Sequence, residues 1–350
     1  MVERTAVSEP NFIRRFEIQL SGLTEVERQL SERLVEAAVG TAPIYEEQQN
    51  DLFPGANLYP HDATAKEIEE AANQNPEILS EYTTVKRAGD GKLTAIPYHH
   101  QYHQLLVPVV EKLIEAAEIC EDQDLKNYLI LRSQSLLDGD YEKSEKVWIA
   151  NPEPTVDIVI GPYDRYIDKL FSRKYAYLSW SGIIDREQTQ EAQQFINSFL
   201  AVYGWNGSPI RARVDKTRIF SGLASIGWSA NNLPCQADWR EKYGSKVTIF
   251  APSFHARFQN RLAALHSILP ASKEFEDDHL EGVSRIFLFA HETCHPLIRR
   301  PGDESRLKGQ YSTVSELYCD LLGIHVAKNL IGRRLSEQDW YLLMPTFISW

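Results

Sequence analysis

The sequence has few cysteines, no long apolar run and no excess of positive charge. Its four cysteines form no CxxC pair, which argues against a disulfide scaffold and favours reduced thiols. The apolar runs at 105–110 and 286–290 are far too short to cross a bilayer. A net charge of −12 opposes binding along a nucleic-acid backbone, which requires clustered Lys and Arg. We therefore expect no membrane segment and no nucleic-acid partner.

The first ten residues, Met1–Pro10, are polar and acidic and lack the apolar centre of a secretory signal. Together with the reduced thiols, this predicts a cytoplasmic protein. Hydrophobic residues make up 43% of the 350 residues, which is enough to build a large core. The length fits one large domain or two lobes that share a cleft. No pattern in the sequence predicts the oligomeric state.

Helical patterns dominate the two ends of the chain, and strand patterns lie in the middle. Thr24 and Glu27 have the spacing of a capping box, and the helix that they begin should stop at Gly40. The other predicted helices lie at 98–119, with a kink at Pro108, at 125–137 and at 187–203. The predicted strands lie at 156–160, 210–214 and 247–250.

These patterns predict a mostly α fold of the α+β type with a small mixed β region. We treat 1–350 as a single region and predict that it divides into three parts. The predicted parts are helical at 1–150, mixed β/α at 151–250 and helical at 251–350.

One motif carries chemistry, because His291-Glu292-Thr293-Cys294-His295 has the HExxH spacing. On a helix the two imidazoles lie one turn apart on the same side and can reach one metal ion. Glu292 lies beside them and can contact water rather than the metal. Two surface histidines with a charged neighbour are the plainer alternative, but the apolar run before the motif favours a buried site. Pro296 predicts that the helix ends or distorts at His295.

A catalytic zinc site usually has three protein ligands and one open position. Ser312 resembles the N-cap of a second helix that would carry Glu316 in its first turns and Asp320 on the same face. We expect Glu316 to be the third ligand, and Asp320 to accept the N–H of a ligating histidine.

The expected cofactor is one zinc ion per chain, held by His291, His295 and Glu316. Cys294 and Cys319 remain alternative ligands, although core packing is the simpler interpretation of both. A set of two nitrogen ligands and one oxygen ligand also suits other divalent metals. With zinc activating a water molecule, Glu292 would act as the general base in hydrolysis of an amide or related acyl bond.

Two further clusters have weaker interpretations. His99, His100 and His103 could form a second metal site, but a solvated or hydrogen-bonded helix start is simpler. The arginines after the motif could hold a substrate carboxylate, but a solvated loop is simpler; they are Arg299, Arg300 and Arg306.

Beyond the HExxH motif, four other segments resemble the dipeptidyl peptidase III family of zinc metallopeptidases. The resemblance is closest to the peptidase-like region that is fused to some Nudix hydrolases. The segments are Tyr311-Ser312-Thr313-Val314-Ser315-Glu316 continuing to Asp320-Leu321-Leu322-Gly323, Gly161-Pro162-Tyr163-Asp164 with Tyr166 and Asp168-Lys169-Leu170-Phe171, Asn232-Leu233-Pro234, and Tyr243-Gly244-Ser245-Lys246.

The resemblance implies a two-lobed metallopeptidase with a helical zinc-binding lobe and a cleft between the lobes. It implies cleavage of dipeptides from the N-termini of short peptides. By resemblance Asn232 would hydrogen-bond the substrate backbone, Asp157 would hold its ammonium group, and Asp164 would line the cleft.

This chain departs from the family pattern at several positions. Cys235 stands where peptidase members often have a second Asn, and Pro296 where a Gly is common. Val159 stands where animal enzymes have a Tyr at the catalytic site, so that donor is expected to be missing. The sequence ends at Trp350, 34 residues after Glu316, whereas family members usually continue much further.

Three functional hypotheses follow. The first is a zinc peptidase of the dipeptidyl type acting on short peptides. The second is a zinc hydrolase of another small amide or ester. The third is a non-catalytic, truncated relative that binds metal or peptide, which the intact Glu292 disfavours.

Overall fold

The computed structural model describes residues 13–151, 154–222, 229–298, 302–332 and 334–349. The first part is helical and includes one β-hairpin. Its elements are β1 (Ile13–Arg15), α1 (Glu25–Gly40), α2 (Ala42–Gln48), α3 (Ala65–Gln74), β2 (Thr83–Arg87), β3 (Leu93–Pro97), α4 (Tyr98–Gln101), α5 (His103–Ile119), α6 (Gln123–Asp138) and α7 (Glu142–Ala150).

The middle of the chain forms the main sheet, and the last part is helical again. The middle elements are β4 (Val156–Asp164), β5 (Ala176–Ile184), α8 (Arg186–Tyr203), β6 (Ile210–Ser221), β7 (Ala230–Leu233), α9 (Ala237–Tyr243) and β8 (Ser245–Phe250). The last are α10 (Ala251–Ile268), α11 (Asp277–Ile298), α12 (Asp303–Leu307), α13 (Tyr311–Lys328) and α14 (Glu337–Ser349).

Local signals account for several helix ends. Thr24 and Glu27 form the predicted capping box, in which each side chain bonds the other residue's backbone N–H. Helix α6 ends at Gly139, whose φ of 82° is left-handed and suits glycine. The predicted helix at 98–119 is interrupted at Tyr102 and so becomes α4 and α5, and α5 continues through Pro108.

The main sheet has the strand order β4-β5-β6-β8-β7, and β1 pairs with β6. Strands β6 and β8 are parallel, whereas the other neighbours are antiparallel. One face of the sheet packs on the N-terminal helices through residues such as Trp180 and Phe220. The other packs on α8, α10, α11 and α13 through residues such as Val214 and Ile249. The sheet is thus covered on both sides.

The predicted mostly α fold with a small mixed β region is confirmed. The three-part division stays a prediction, and the main sheet crosses it because β1 pairs with β6. No helix in the described residues is long and apolar enough to cross a membrane.

Of the two alternatives for α11, an end at His295 is ruled out, and the expected N-cap at Ser312 is wrong. Helix α11 does not stop at His295 but continues through Pro296 to Ile298. Ser312 is not an N-cap, because α13 begins at Tyr311 with Gln310 at the cap position. The 3₁₀ turn at 308–310 runs directly into α13, so its first turn needs no side-chain cap.

Candidate metal centre and cavity

Helices α11 and α13 pack closely at the HExxH motif because Gly323 has no side chain. A Cβ atom at Gly323 would lie 3.3 Å from the backbone carbon of Ala290 and 3.3 Å from the nitrogen of His291. Such separations are tighter than ordinary van der Waals contact. The glycine therefore lets the acidic side of α13 reach the histidines of α11.

His291 is held between two carboxylates of α13. Its Nδ1 lies 2.7 Å from Asp320 Oδ1, and its Nε2 lies 3.1 Å from Glu316 Oε2. Burial alone would lower the pKa of His291, but hydrogen bonds with Asp320 and Glu316 raise it to about 10. The environment is therefore strongly favourable to a bound cation.

The Nδ1 atom of His295 has a different partner, which also lies on α13. Its Nδ1 lies 3.2 Å from Cys319 Sγ, and its Nε2 lies 3.9 Å from Glu316 Oε1. Glu292 Oε2 lies 3.8 Å from the same Nε2. Both histidines thus turn Nδ1 toward a partner on α13 and Nε2 toward the Glu316 carboxylate.

This arrangement fits a zinc ion. Donors bound tetrahedrally at zinc distances lie about 3.4 Å apart, and the two Nε2–Glu316 distances of 3.1 and 3.9 Å lie on either side of that value. The sequence motif predicts the spacing of His291 and His295, and the structure brings Glu316 and Asp320 to them.

Cys319 belongs to an alternative donor set. Among the described residues, ligand atoms of His291, His295 and Cys319 lie within 4.8 Å of one another. The sulfur, however, faces Nδ1 of His295, whereas Nε2 faces Glu316. We favour Glu316 as the third ligand because its carboxylate is close to Nε2 of both histidines. Cys294 is fully buried in the core, and burial raises the pKa of its thiol.

A cavity of about 480 Å³ opens beside this centre. Its wall combines α11, α13, strand β7, α10 and the end of β4. Residues lining it include Tyr166, Asn232, Arg257, His291, Glu292 and Glu316. Its size lies within the range of small-ligand sites.

Tyr166 is a site residue to which the sequence analysis assigned no role. Its hydroxyl donates to Glu316 Oε1 at 2.9 Å, and its side chain is 40% exposed at the cavity. Val159, where the expected tyrosine is missing, is buried in the core. The tyrosine expected to be missing at position 159 is thus absent there, and Tyr166 places a different phenol at the cavity. The only sequence signal was that Tyr166 belongs to the motif-like segment after Gly161.

Asn232 lies in β7 on the cavity wall, as the resemblance implies. Its Nδ2 donates to the backbone oxygen of Glu292 at 3.2 Å. Its Oδ1 is buried and has no hydrogen-bond partner within the described residues. Within that part of the chain β7 is paired with β8 alone, so its other edge faces the cavity.

The structure does not place Asp157 where it could hold a substrate ammonium group in this cavity. Asp157 is 1% exposed, pairs with Arg213 and accepts the indole N–H of Trp148 at 3.0 Å. It is not among the residues that line the cavity. The acidic side chain compensates a buried arginine, which needs a paired charge.

Asp164 also lies behind the cavity wall, so its expected place in the lining is wrong. It is fully buried and accepts the backbone N–H of Tyr166 at 2.8 Å. Burial raises the pKa of Asp164 to about 7, and a hydrogen bond with Tyr45 opposes that rise. Asp164 therefore orients the loop that presents Tyr166.

The weaker clusters do not gather at this site. The ring centroids of His99 and His100 lie 4.2 Å apart, but no metal-binding group found among the described residues includes them or His103. Arg299 and Arg300 lie outside the described residues. Arg306 is exposed and pairs with Asp303.

Comparison with known proteins supports the resemblance. Peptidase family M49 matches residues 57–206 of the chain. Nudix hydrolase 3 of Arabidopsis thaliana is 23% identical over 336 residues, covering 82% of this chain and 43% of that protein. The chain thus spans less than half the length of this curated relative.

Two solved structures share the fold. Dipeptidyl peptidase III from Caldithrix abyssi has a TM-score of 0.80 and 24% identity, covering 96% of this chain and 77% of that one. Dipeptidyl peptidase III from Corallococcus sp. strain EGB has a TM-score of 0.84 and 22% identity, covering 96% and 76%. The chain has the two-lobed fold of these proteins.

Proposed function

We propose that the chain is a zinc-dependent peptidase that removes dipeptides from the N-termini of short peptides. The observation that carries the proposal is the convergence of His291, His295 and Glu316 beside Glu292, at a cavity with an open strand edge. The similarity to dipeptidyl peptidase III structures supports the substrate class.

His291, His295 and Glu316 would hold one zinc ion. When bound, zinc acidifies water and polarises the scissile carbonyl. Glu292 is 6% exposed and lines the cavity, so its carboxylate can accept a proton from the attacking water and pass it to the leaving amine. Tyr166 supplies a hydroxyl that can turn its single hydrogen from Glu316 to the developing oxyanion.

Strand β7 supports a peptide rather than a compact ligand. An extended peptide can add to an unpaired strand edge through main-chain hydrogen bonds. Asn232 Oδ1 can accept a peptide N–H, because that oxygen has no partner within the described residues. Buried acceptors of this kind favour a ligand that satisfies them.

One observation favours a second candidate, a zinc hydrolase of another small amide or ester. Asp157 and Asp164 are buried and do not line the cavity, so neither is placed to hold a substrate ammonium group. Under the first proposal the ammonium group must instead bind neutral acceptors such as the amide oxygens of Asn231 and Asn232.

The first experiment measures zinc per chain by mass spectrometry, after purification without chelators. We expect about one zinc ion per chain in the wild type and its loss in Glu316→Ala. Glu187→Ala, on α8, removes an acidic side chain elsewhere and should keep the metal. A metal-free wild type would contradict the metal assignment and leave a non-catalytic relative.

The second experiment compares one tetrapeptide with a free or an acetylated N-terminus, beside a small ester. Release of a dipeptide from the free peptide alone supports the dipeptidyl assignment. Equal cleavage of the acetylated peptide or the ester favours the second candidate. Glu292→Gln should lower kcat by about 10²–10⁴-fold because it removes the general base, and unchanged activity would exclude that role.

A further inference from the structure

Helix α11 contains a proline within the segment that carries the catalytic motif. In an α-helix the N–H of each residue bonds the carbonyl four residues earlier. Pro296 has no N–H, so the carbonyl of Glu292 loses the donor that lies four residues on in a regular helix, and the proline ring also crowds that carbonyl. The helix nevertheless continues to Ile298.

Asn232 supplies the missing donor from the neighbouring strand. Its Nδ2 lies 3.2 Å from the Glu292 oxygen, and a longer contact of 3.4 Å joins it to Ser245 Oγ. Asn232 is 5% exposed and Glu292 is 6% exposed, so the bond is shielded from water. A buried carbonyl left without a donor would cost considerable free energy.

The strand that carries Asn232 is fixed by the sheet. Asn232 pairs with Val247 of β8, and β8 is bonded on its other side to β6. The amide nitrogen therefore bonds α11 from a rigid support. The oxygen of the same amide group is left for the cavity.

We propose that Asn232 and Pro296 act as a pair, in which the Asn232 amide replaces the helix bond lost at Pro296 and so positions Glu292. Asn232 is then a positioning residue through its nitrogen, whatever its oxygen binds. Only the catalytic consequence rests on the proposed function, because the structural pairing stands without it.

A double-mutant cycle tests the pair. Pro296→Ala restores an N–H that can bond the Glu292 carbonyl, so the Asn232 donor becomes dispensable. We expect Asn232→Leu to lower kcat about tenfold in the Pro296 background, as for a buried group left unsatisfied, and less than about threefold with Pro296→Ala. The effect of Asn232→Leu on KM should be the same in both backgrounds, because the substitution removes the amide oxygen of Asn232 in both.

Asn231 provides a matched control, since it lies next to Asn232 in β7 and is similarly buried, at 7% exposure. Asn231→Leu should change kcat by the same factor with Pro296 and with Ala at position 296. An equal loss of kcat for Asn232→Leu with Pro296 and with Pro296→Ala would overturn the proposal.

A readout without catalysis separates this proposal from the function proposed above. In chelator-treated protein, Asn232→Leu should lower the midpoint of thermal unfolding more with Pro296 than with Pro296→Ala. Asn232→Asp removes the donor but keeps the shape and the oxygen, and it should show the same background dependence if the Leu variant does not fold. A background-independent shift would overturn the pairing even in a chain with no peptidase activity.

Discussion

At the scale of single residues, the two histidines of the motif differ in what holds them. Asp320 faces Nδ1 of His291, whereas the sulfur of Cys319 faces Nδ1 of His295. For Nε2 to bind a metal, Nδ1 must carry the hydrogen and donate it. Sulfur is a weaker acceptor than a carboxylate, so His295 would be the less firmly oriented of the two proposed ligands.

Cys319 should therefore contribute to metal affinity without binding the metal. We expect Cys319→Ala to weaken zinc binding about tenfold, measured by competition with a chromophoric chelator, and Cys319→Ser to keep most of the affinity. Cys294→Ala removes another buried thiol and should leave zinc affinity unchanged. An intense sulfur-to-metal charge-transfer band in the cobalt-substituted protein would instead make Cys319 a ligand.

Removing the Tyr166 hydroxyl should change kcat more than it changes zinc content. Tyr166→Phe removes a hydroxyl at the cavity, so we expect kcat to fall about a hundredfold, as for loss of one oxyanion donor, while zinc content stays constant. Tyr318→Phe, which removes an exposed hydroxyl on α13, is the control. Steady-state kinetics on a tetrapeptide would show the difference, and an unchanged kcat would exclude the donor role.

At the scale of secondary-structure elements, the site depends on how closely α11 and α13 approach. Gly323→Ala places a methyl group against the α11 backbone, and overpacking of this kind costs about 1–3 kcal/mol. We expect a lower midpoint of thermal unfolding and weaker zinc binding, because α13 carries Glu316 and Asp320. Gly282→Ala on α11 meets open space and should be neutral or stabilising. Equal effects of the two substitutions would contradict this account.

The sequence predicts those structural features that depend on residues close together in the chain. The capping box at Thr24, the glycine after α6 and the HExxH spacing each depend on residues within one or two turns. Strand β5 was not predicted, because it is buried along its whole length and mixes Ser, Gly and Trp with aliphatic residues. Its burial comes from helices on both faces, which a period-two pattern does not reveal.

The site was predictable in part for the same reason. The relation of His291 to His295 is set by helix geometry, whereas the approach of Glu316 requires Gly323 and the packing of two helices. Asp157 fits the resemblance in sequence, but its partner Arg213 lies on another strand. Whether a carboxylate faces a cavity or a buried arginine is a property of tertiary packing.

At the scale of the whole molecule, Asp164 makes stability depend on pH. Burial raises its pKa from 3.8 to about 7, so the folded protein holds this proton more tightly than the unfolded chain. Its contribution to the free energy of unfolding is therefore fully present below about pH 4 and is lost as the pH rises to 7.

Asp164→Asn should remove this dependence, because an amide keeps the oxygen that accepts the Tyr166 N–H but carries no charge. We expect the variant to be more stable than the wild type at pH 8 and to lose that advantage near pH 4, in denaturant unfolding across this range. Asp90→Asn, an exposed position in the β2–β3 turn, is the control. If the wild type instead became more stable than Asp164→Asn as the pH rises, burial would not raise the pKa of Asp164.

The hydrogen bond from Tyr166 to Glu316 joins the segment after β4 to helix α13, two parts of the chain 150 residues apart. An ion that orients the Glu316 carboxylate favours the arrangement in which the phenol reaches it. A ligand that favours the same arrangement increases the affinity for the ion. By thermodynamic reciprocity, the ion increases the affinity for that ligand by the same factor. If the proposed ion and substrate bind here, each would therefore act as an effector of the other across the cleft.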